Sequence, residues 1–325
     1  MIINSKNDYI PVLSVIIVTF NQEVTISQTI ESVLDQKCNF IFEIIIGEDC
    51  GIDRTREICI DYQNKFPEKI KLILFEQNGG IVNNWVNCVR ISTGKYITTC
   101  AGDDYWHNIN KLQIQYEYME SHSNCGVLHS DFNELNILTN KTIKSFNKFN
   151  FKKVIQGYVQ KEVFNGELRI CAPTICFRKE LIDKHVPLDK YLELKFPIED
   201  WPTYLILSHY STIDYIDIST VTYRKGHESI SNQLGYQNVE TRFNREKEMY
   251  KYLCNLFPDV LPFDEKGYDL YVTGILLNLA YKKLDYSSAH KYAKEMLSLG
   301  AESFKVKCSL SYLTFCLYGY LKRIR

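Results

Sequence analysis

Four times between residues 12 and 101 a short apolar run gives way to a segment with helical spacing, and this repetition restricts the fold more than any other feature. Residues 12–20 are almost continuously apolar, the pattern of a strand covered on both faces. After Asn21-Gln22-Glu23, Ile26, Ile30, Val33 and Leu34 mark one face of a helix. A second run at residues 42–47 ends in Glu48-Asp49-Cys50-Gly51, with a helix expected from about Asp53. A third at 70–75 leads through Gln77-Asn78-Gly79-Gly80 into a helix carrying Asn83, Trp85 and Val89, and a fourth opens at Tyr96. Beyond Trp106, Leu112, Gln115, Tyr116 and Met119 return to helical spacing. Strands alternating with helices over short connections predict a mostly parallel α/β sheet with right-handed crossovers.

Open sheets of this kind bind ligands at the carboxyl ends of their strands. Here those ends are residues 19–21, 48–49, 78–80 and 102–104, and they should share one edge. The last is Gly102-Asp103-Asp104, two adjacent anions that repel unless a cation lies between them. Carboxylate oxygens are hard donors suited to Mg²⁺ or Mn²⁺; the competing reading is that one Asp caps the next helix. The rim suits a nucleotide, but G-x-G-x-x-G is absent, and Gly94-Lys95 lacks the upstream glycine and Ser/Thr of a P-loop. A diphosphate bound here must therefore be neutralised by a metal.

Composition narrows the partners. With 38 basic and 39 acidic residues the net charge is −1, so no overall field draws the chain to nucleic acid. The 11 cysteines are scattered and nowhere form C-x-x-C, which argues against a disulfide framework or structural zinc and for a reducing compartment. Residues 1–11 carry no targeting core. Residues 312–321 are apolar but too short to span a bilayer, so they pack as a terminal helix or lie on an anionic membrane surface. The expectation is a cytoplasmic protein, with peripheral contact to the inner face of the cell membrane as the option this helix leaves open.

Farther along, residues 126–132 read as a strand, and the lysine-dotted stretch 141–153 as a solvated loop or hairpin. Residues 169–177 are a short strand interrupted by Pro173, expected at an edge or a bend. Residues 213–218 and 220–224 read as a pair of strands leading to Lys225-Gly226-His227. From about Gln237 only helical patterns remain. The expected division is an α/β domain over 1–235, with a nucleotide half at about 10–130 and an acceptor half at about 131–235, then a helical extension over 236–325.

One further acid stands out. Phe196-Pro197-Ile198-Glu199-Asp200-Trp201-Pro202 turns into a helix, and Asp200 is placed either to cap it or to serve as a base. A hydroxyl attacking an activated carbon loses its proton as the bond forms, and a carboxylate within hydrogen-bond reach accelerates this by about 10² to 10⁴. His227 is either a metal ligand or an ordinary loop residue, and Arg224 or Lys225 is positioned to hold a phosphate.

Taken together, the motifs resemble family 2 glycosyltransferases of the GT-A fold. They are Pro11-x-Leu13-Ser14-Val15-Ile16-Ile17-Val18-Thr19-Phe20-Asn21, Glu48-Asp49-Cys50-Gly51-Ile52-Asp53-Arg54-Thr55, Gly94-Lys95-Tyr96-Ile97 and Gly102-Asp103-Asp104-Tyr105-Trp106, in order over about residues 10 to 230. The resemblance implies an inverting, non-processive transferase. It would move one sugar from a nucleoside-diphosphate donor, a UDP-sugar first, to an acceptor hydroxyl with Mg²⁺ or Mn²⁺. The acceptor would be a saccharide, a lipid-linked glycan or a protein, in surface polysaccharide or glycoconjugate synthesis. Carried over by position, Thr19, Phe20 and Glu23 border the base, Asp49 hydrogen-bonds it, and Asp103 lies against the ribose or sugar. Asp104 and His227 hold the metal, and Asp200 is the general base. This chain departs from the pattern where Cys100 or Ala101 stands in place of a frequent acid and where Glu48 replaces the first Asp of a pair; the Gln-x-x-Arg-Trp of processive members is missing, in keeping with a non-processive enzyme. Two other classes stand beside this reading: a non-catalytic nucleotide-sugar-binding module, and a nucleotidyltransferase. The latter is disfavoured because no Gly-rich basic loop follows the first strand.

Overall fold

The computed structural model describes residues 1–3, 10–151, 153–226, 236–301, 303, 306, 307 and 309–311. Its strands are β1 (Ile2–Ile3), β2 (Leu13–Thr19), β3 (Phe42–Glu48), β4 (Ile70–Leu74), β5 (Tyr96–Ala101), β6 (Tyr105–Trp106), β7 (Cys125–Asn136), β8 (Lys141–Ile143), β9 (Cys176–Arg178) and β10 (Thr212–Lys225). Between them run α1 (Ile26–Leu34), α2 (Thr55–Lys65), α3 (Ile81–Ile91), α4 (Lys111–Ser121), α5 (Phe146–Asn150), α6 (Gln160–Phe164), α7 (Lys179–His185), α8 (Leu188–Glu193) and α9 (Asp200–Tyr210). Helices α10 (Tyr236–Leu256), α11 (Glu265–Lys283) and α12 (Tyr286–Ser298) follow. The chain divides into two compact units, residues 1–227 and 228–325.

In the first unit one sheet runs β1-β4-β3-β2-β5-β9-β7-β10-β6, with β8 beside β7. The expected parallel arrangement is present: β4, β3, β2 and β5 are parallel neighbours. All seven residues of β3 are buried, because helices cover both faces. Val15, Ile17, Ile44 and Ile46 pack with Ile26, Ile30 and Val33 of α1, while α3 lies against β2 and β3. Each fully buried Ile or Val contributes about 1.5–3 kcal/mol over leaving it in water, so this layer fixes the positions of the four strand ends.

The second half of the sheet differs from expectation in two places. Residues 172–174 form a 3₁₀ turn at Pro173, and β9 beyond it lies inside the sheet, antiparallel to both β5 and β7, rather than at an edge. The bend was legible from the proline, but the insertion depends on partners distant in sequence. Residues 213–218 and 220–224 are one strand, not two: β10 runs parallel to β7 throughout, with register shifts around Ser219. A bulge restores pairing after each shift, so the apparent break in the apolar pattern is local. The lysine-dotted stretch contributes β8 and the single-turn-and-a-half helix α5.

The second unit is helical in its described residues. Leu276, Leu277 and Ala280 of α11 bury against Ala289, Tyr292 and Ala293 of α12. Asp264 and Asp285 cap these helices, accepting from Gly267 N–H at 2.9 Å and Ser288 N–H at 3.0 Å. Lys247 of α10 reaches Asp269 of α11 at 2.7 Å. The helix expected over 312–321 lies outside the described residues. No helix among the described residues is long and apolar enough to cross a membrane.

Candidate active site

The four strand ends do meet along one edge, laced together by side-chain-to-backbone bonds. Thr19 Oγ1 donates to Gln22 Oε1 at 2.7 Å, and Gln22 N–H donates to Thr55 Oγ1 at 2.7 Å. Glu23 N–H donates to Asp53 Oδ2 at 3.0 Å, and Glu23 Oε2 accepts from Arg54 N–H at 2.9 Å. Thr19 is buried, whereas the Phe20 ring is partly exposed at the rim. Asp49 is buried and accepts from Gly79 N–H and Gly80 N–H, both at 2.8 Å. Gly80 sits at φ 83°, a conformation costly for any other residue, so the glycine and the carboxylate together shape this loop. Burial, partly offset by these two donors, raises the Asp49 pKa.

Gly102 brings the acidic pair close to the β2 end. A Cβ at that position would stand 2.3 Å from Gln22 Oε1 and 2.6 Å from Thr19 Oγ1. Thr25 Oγ1 donates to the Gly102 carbonyl at 2.8 Å, and Thr29 Oγ1 to the Asp104 carbonyl at 2.6 Å. The next helix, α4, starts only at Lys111 with Asn110 at its cap, so neither Asp103 nor Asp104 caps it. Asp104 is 1% exposed, and its Oδ1 accepts from Arg224 N–H at 2.8 Å. Its Oδ2 has no hydrogen bond among the described residues. Burial and then the Asp103 charge push the Asp104 carboxyl well above the carboxylate range. Arg224 donates to the Asp103 carbonyl and to Gln28 Oε1, and its guanidinium lies 4.8 Å from the Tyr105 ring centre.

Asp200 is the first residue of α9, and Glu199 stands at the cap, without a side-chain capping bond. The expectation that Asp200 would be the cap is thus displaced by one residue. Its Oδ1 accepts from the adjacent Trp201 N–H at 2.6 Å. Burial raises both acids of this pair; Glu199 is raised further by the Asp200 charge, whereas Arg169 favours the ionised form of Asp200.

Asp104 and Asp200, 96 positions apart in the chain, both act electrostatically on Cys171. Burial is the main cause that pushes this thiol well above its ordinary pKa; the charges of Asp104 and Asp200 add to the rise, and Arg169 opposes it. Tyr223 feels Asp104, Asp103, Cys171 and Arg169 in the same way. The turn holding Cys171 is fastened to β5 by Thr99 Oγ1 on the Ala172 carbonyl at 3.0 Å and by Thr98 Oγ1 on the Ile175 carbonyl at 2.5 Å. Beneath it, Lys111 is wholly buried, donating to Thr98 Oγ1 and Gln115 Oε1 at 2.9 Å, while Gln115 Nε2 donates to the Thr174 carbonyl at 2.9 Å. Arg169, Cys171 and Lys111 belong to no motif, and nothing in their local spacing marks them.

Among the described residues no group of three or more His, Cys, Asp or Glu is arranged to hold a metal, and His227 lies outside them. The chemistry at Asp104 nonetheless fits a hard divalent cation. A buried anion beside a second carboxylate is destabilised by its own charge, and one of its oxygens is unengaged.

The description "Glycosyl transferase family 2" matches residues 14–186, more than half of the chain. The chain belongs to this family. The match takes in the strand ends carrying Thr19, Asp49, Asp103 and Asp104, but not Asp200. A putative teichuronic acid biosynthesis glycosyltransferase, TuaG of Bacillus subtilis, is 34% identical over 113 residues, covering 35% of this chain and 44% of its own. An uncharacterized glycosyltransferase of Nostoc sp. is 29% identical over 181 residues, 54% of each chain. The first curated relatives, from Mycobacterium, match over only 32% of their own length, so this chain corresponds to about a third of them. Among solved structures, S. aureus TarS in complex with UDP-GlcNAc aligns with TM-score 0.53 and 17% identity, over 95% of this chain and 89% of that one. Mannosyltransferase PcManGT from Pyrobaculum calidifontis, in complex with GDP-Man and Mn²⁺, aligns with TM-score 0.54 and 12% identity, over 97% and 88%. At such identities the likeness establishes the fold, which is the GT-A arrangement of this family 2 member.

Proposed function

We propose that this family 2 protein is a metal-dependent inverting glycosyltransferase that moves one sugar from a nucleoside-diphosphate sugar to an acceptor hydroxyl. The observation that carries the reading is Asp104 just beyond the end of β5, a buried carboxylate beside Asp103 that Arg224 N–H holds by one oxygen at 2.8 Å while the other is unengaged among the described residues. Relatives named for teichuronic acid synthesis, and fold neighbours bound to UDP-GlcNAc or GDP-Man, support a nucleotide-sugar donor and a surface-polymer acceptor.

In this proposal the base of the donor lies between Phe20 and the loop that Asp49 holds at Gly79 and Gly80, with Glu23 bracing the neighbouring turn. Asp103 faces the ribose or the sugar. Asp104, with His227 from beyond the described residues, holds Mg²⁺ or Mn²⁺, which when bound neutralises charge growing on the departing diphosphate. Asp200 takes the acceptor proton. It is the member of the acidic pair that ionises first, because Arg169 and the Trp201 N–H stabilise its anion while Glu199 retains a proton. A proton-accepting carboxylate set apart from the leaving group suits attack from the opposite face, and hence inversion, with one sugar added per encounter.

The test is a panel of UDP-, GDP- and dTDP-sugars, scored for donor hydrolysis and for thermal stabilisation with and without Mn²⁺. We expect one nucleotide class to stabilise the chain and to be hydrolysed only with the metal. Stabilisation without turnover by any donor, in the presence of candidate acceptors, would favour a non-catalytic nucleotide-sugar-binding module.

A further inference from the structure

We infer that the β7–β8 hairpin and α5 form a docking surface for an anionic lipid bilayer, beside the end of β10 that bonds Asp104. From Leu135 to Lys161 the chain contains six lysines and no Asp or Glu, within a protein whose net charge is −1. Lys141, Lys144 and Lys153 are exposed, and none has an ion-pair partner among the described residues. Large apolar side chains stand among them: Leu138 is 78% exposed and Phe149 75%, with Phe151 also exposed.

The segment is held so that these groups face outward. In α5, Phe146 turns inward and stacks on Phe132 with ring centres 5.0 Å apart. Asn147 N–H donates to Asp131 Oδ1 at 2.8 Å and Lys148 N–H to Asp131 Oδ2 at 3.3 Å. With that face pinned to β7, Phe149 is left in solvent. On the hairpin, Asn136 Oδ1 accepts from Leu138 N–H and Thr139 N–H, both at 3.0 Å, which fixes the turn that presents Leu138. The carboxylates on the packed elements are already engaged. Glu134 meets Lys225 at 3.3 Å, Asp217 meets Lys148 at 2.8 Å, and Asp131 is buried under α5. Among the described residues, then, no carboxylate pairs with Lys141, Lys144 or Lys153.

Cations alone would serve a soluble polyanion equally well. Exposed Leu and Phe among the lysines add what a bilayer rewards: apolar side chains enter the headgroup layer while ammonium groups meet anionic lipid. Placement gives the surface a purpose. Ile137 N–H donates to the Lys225 carbonyl at 2.9 Å, and the preceding residue, Arg224, bonds Asp104. A membrane met by this hairpin would lie near Asp104, and on the proposed function an acceptor carried on lipid would be delivered there.

The experiment is co-sedimentation of the full chain with phosphatidylcholine vesicles, with or without a minor share of phosphatidylglycerol, at low and high salt. Expected is binding to the anionic vesicles only, weakened by salt. K141Q/K144Q/K153Q should lower partitioning on the order of a hundredfold, and L138S/F149S by about tenfold or more, with melting temperature and Mn²⁺-dependent donor stabilisation unchanged. Absence of binding to anionic vesicles overturns the inference. So does binding that both variants retain, which would put the contact elsewhere in the chain. Loss in the lysine variant but not in L138S/F149S, with equal competition by dextran sulfate, would assign the surface to a soluble polyanion instead.

Discussion

Arg224 N–H donates to Asp104 Oδ1 at 2.8 Å across 120 positions of sequence, joining the end of β10 to the acid that follows β5. The bond comes from the main chain, so side-chain substitution at Arg224 leaves it in place. It holds one carboxylate oxygen of Asp104 in place.

Asp104→Ala should remove metal-dependent donor binding. The repulsion from Asp103 disappears with the carboxylate while Arg224 N–H loses its acceptor, so the two effects oppose and the folded protein should change little in stability. Calorimetric titration of the donor with and without Mn²⁺ checks this. Unchanged affinity in both conditions would move the metal away from Asp104.

Asp200→Asn should lower kcat at least about a hundredfold while leaving donor affinity near wild type. The Asp200 pKa lies above its usual value because of burial, and a base must be ionised to act. In the wild type kcat should therefore fall as pH drops through that raised pKa. The acid limb should vanish in Asp200→Asn and persist in Glu199→Gln. A pH–rate series on the three proteins decides it.

Lys111→Met tests the support beneath the Cys171 turn. Burial pushes the Lys111 ammonium down to about 7. Between pH 7 and an unfolded value of about 10.4, the unfolded chain binds the extra proton and the folded chain does not. Stability from this group thus rises with pH over that window. The buried thiols oppose the trend, so the informative quantity is the difference between wild type and Lys111→Met. From pH 7 to 9 that difference should change by about 2 kcal/mol in denaturant titrations, with the wild type gaining. Parallel curves would show that Lys111 stays charged.

Gly102→Ala should disturb the acidic pair by displacement. The new methyl would meet Gln22 Oε1 at 2.3 Å and the Thr19 Cβ at 2.8 Å. The former can swing aside but the latter is anchored in β2, so a loss of about 1–3 kcal/mol in stability is expected. Turnover should fall with it. Measuring melting temperature and donor hydrolysis on the same preparation checks both.

The sequence by itself determined the four parallel strands, their ends on one edge, and the positions of Thr19, Asp49, Asp103 and Asp104 at those ends. These follow from local periodicity: a run such as residues 42–47 buries both faces whatever its distant neighbours are. Tertiary structure alone decided the rest. That β9 enters the sheet centre, that β10 is one bulged strand, and that Arg224 N–H reaches Asp104 all depend on pairings between segments tens of residues apart. Lys111 makes the point most sharply. In the chain it is one more lysine at a helix start, and only the packing of α4 against β5 removes it from water. Burial and long-range pairing are properties of the assembled layers, and no local spacing encodes them.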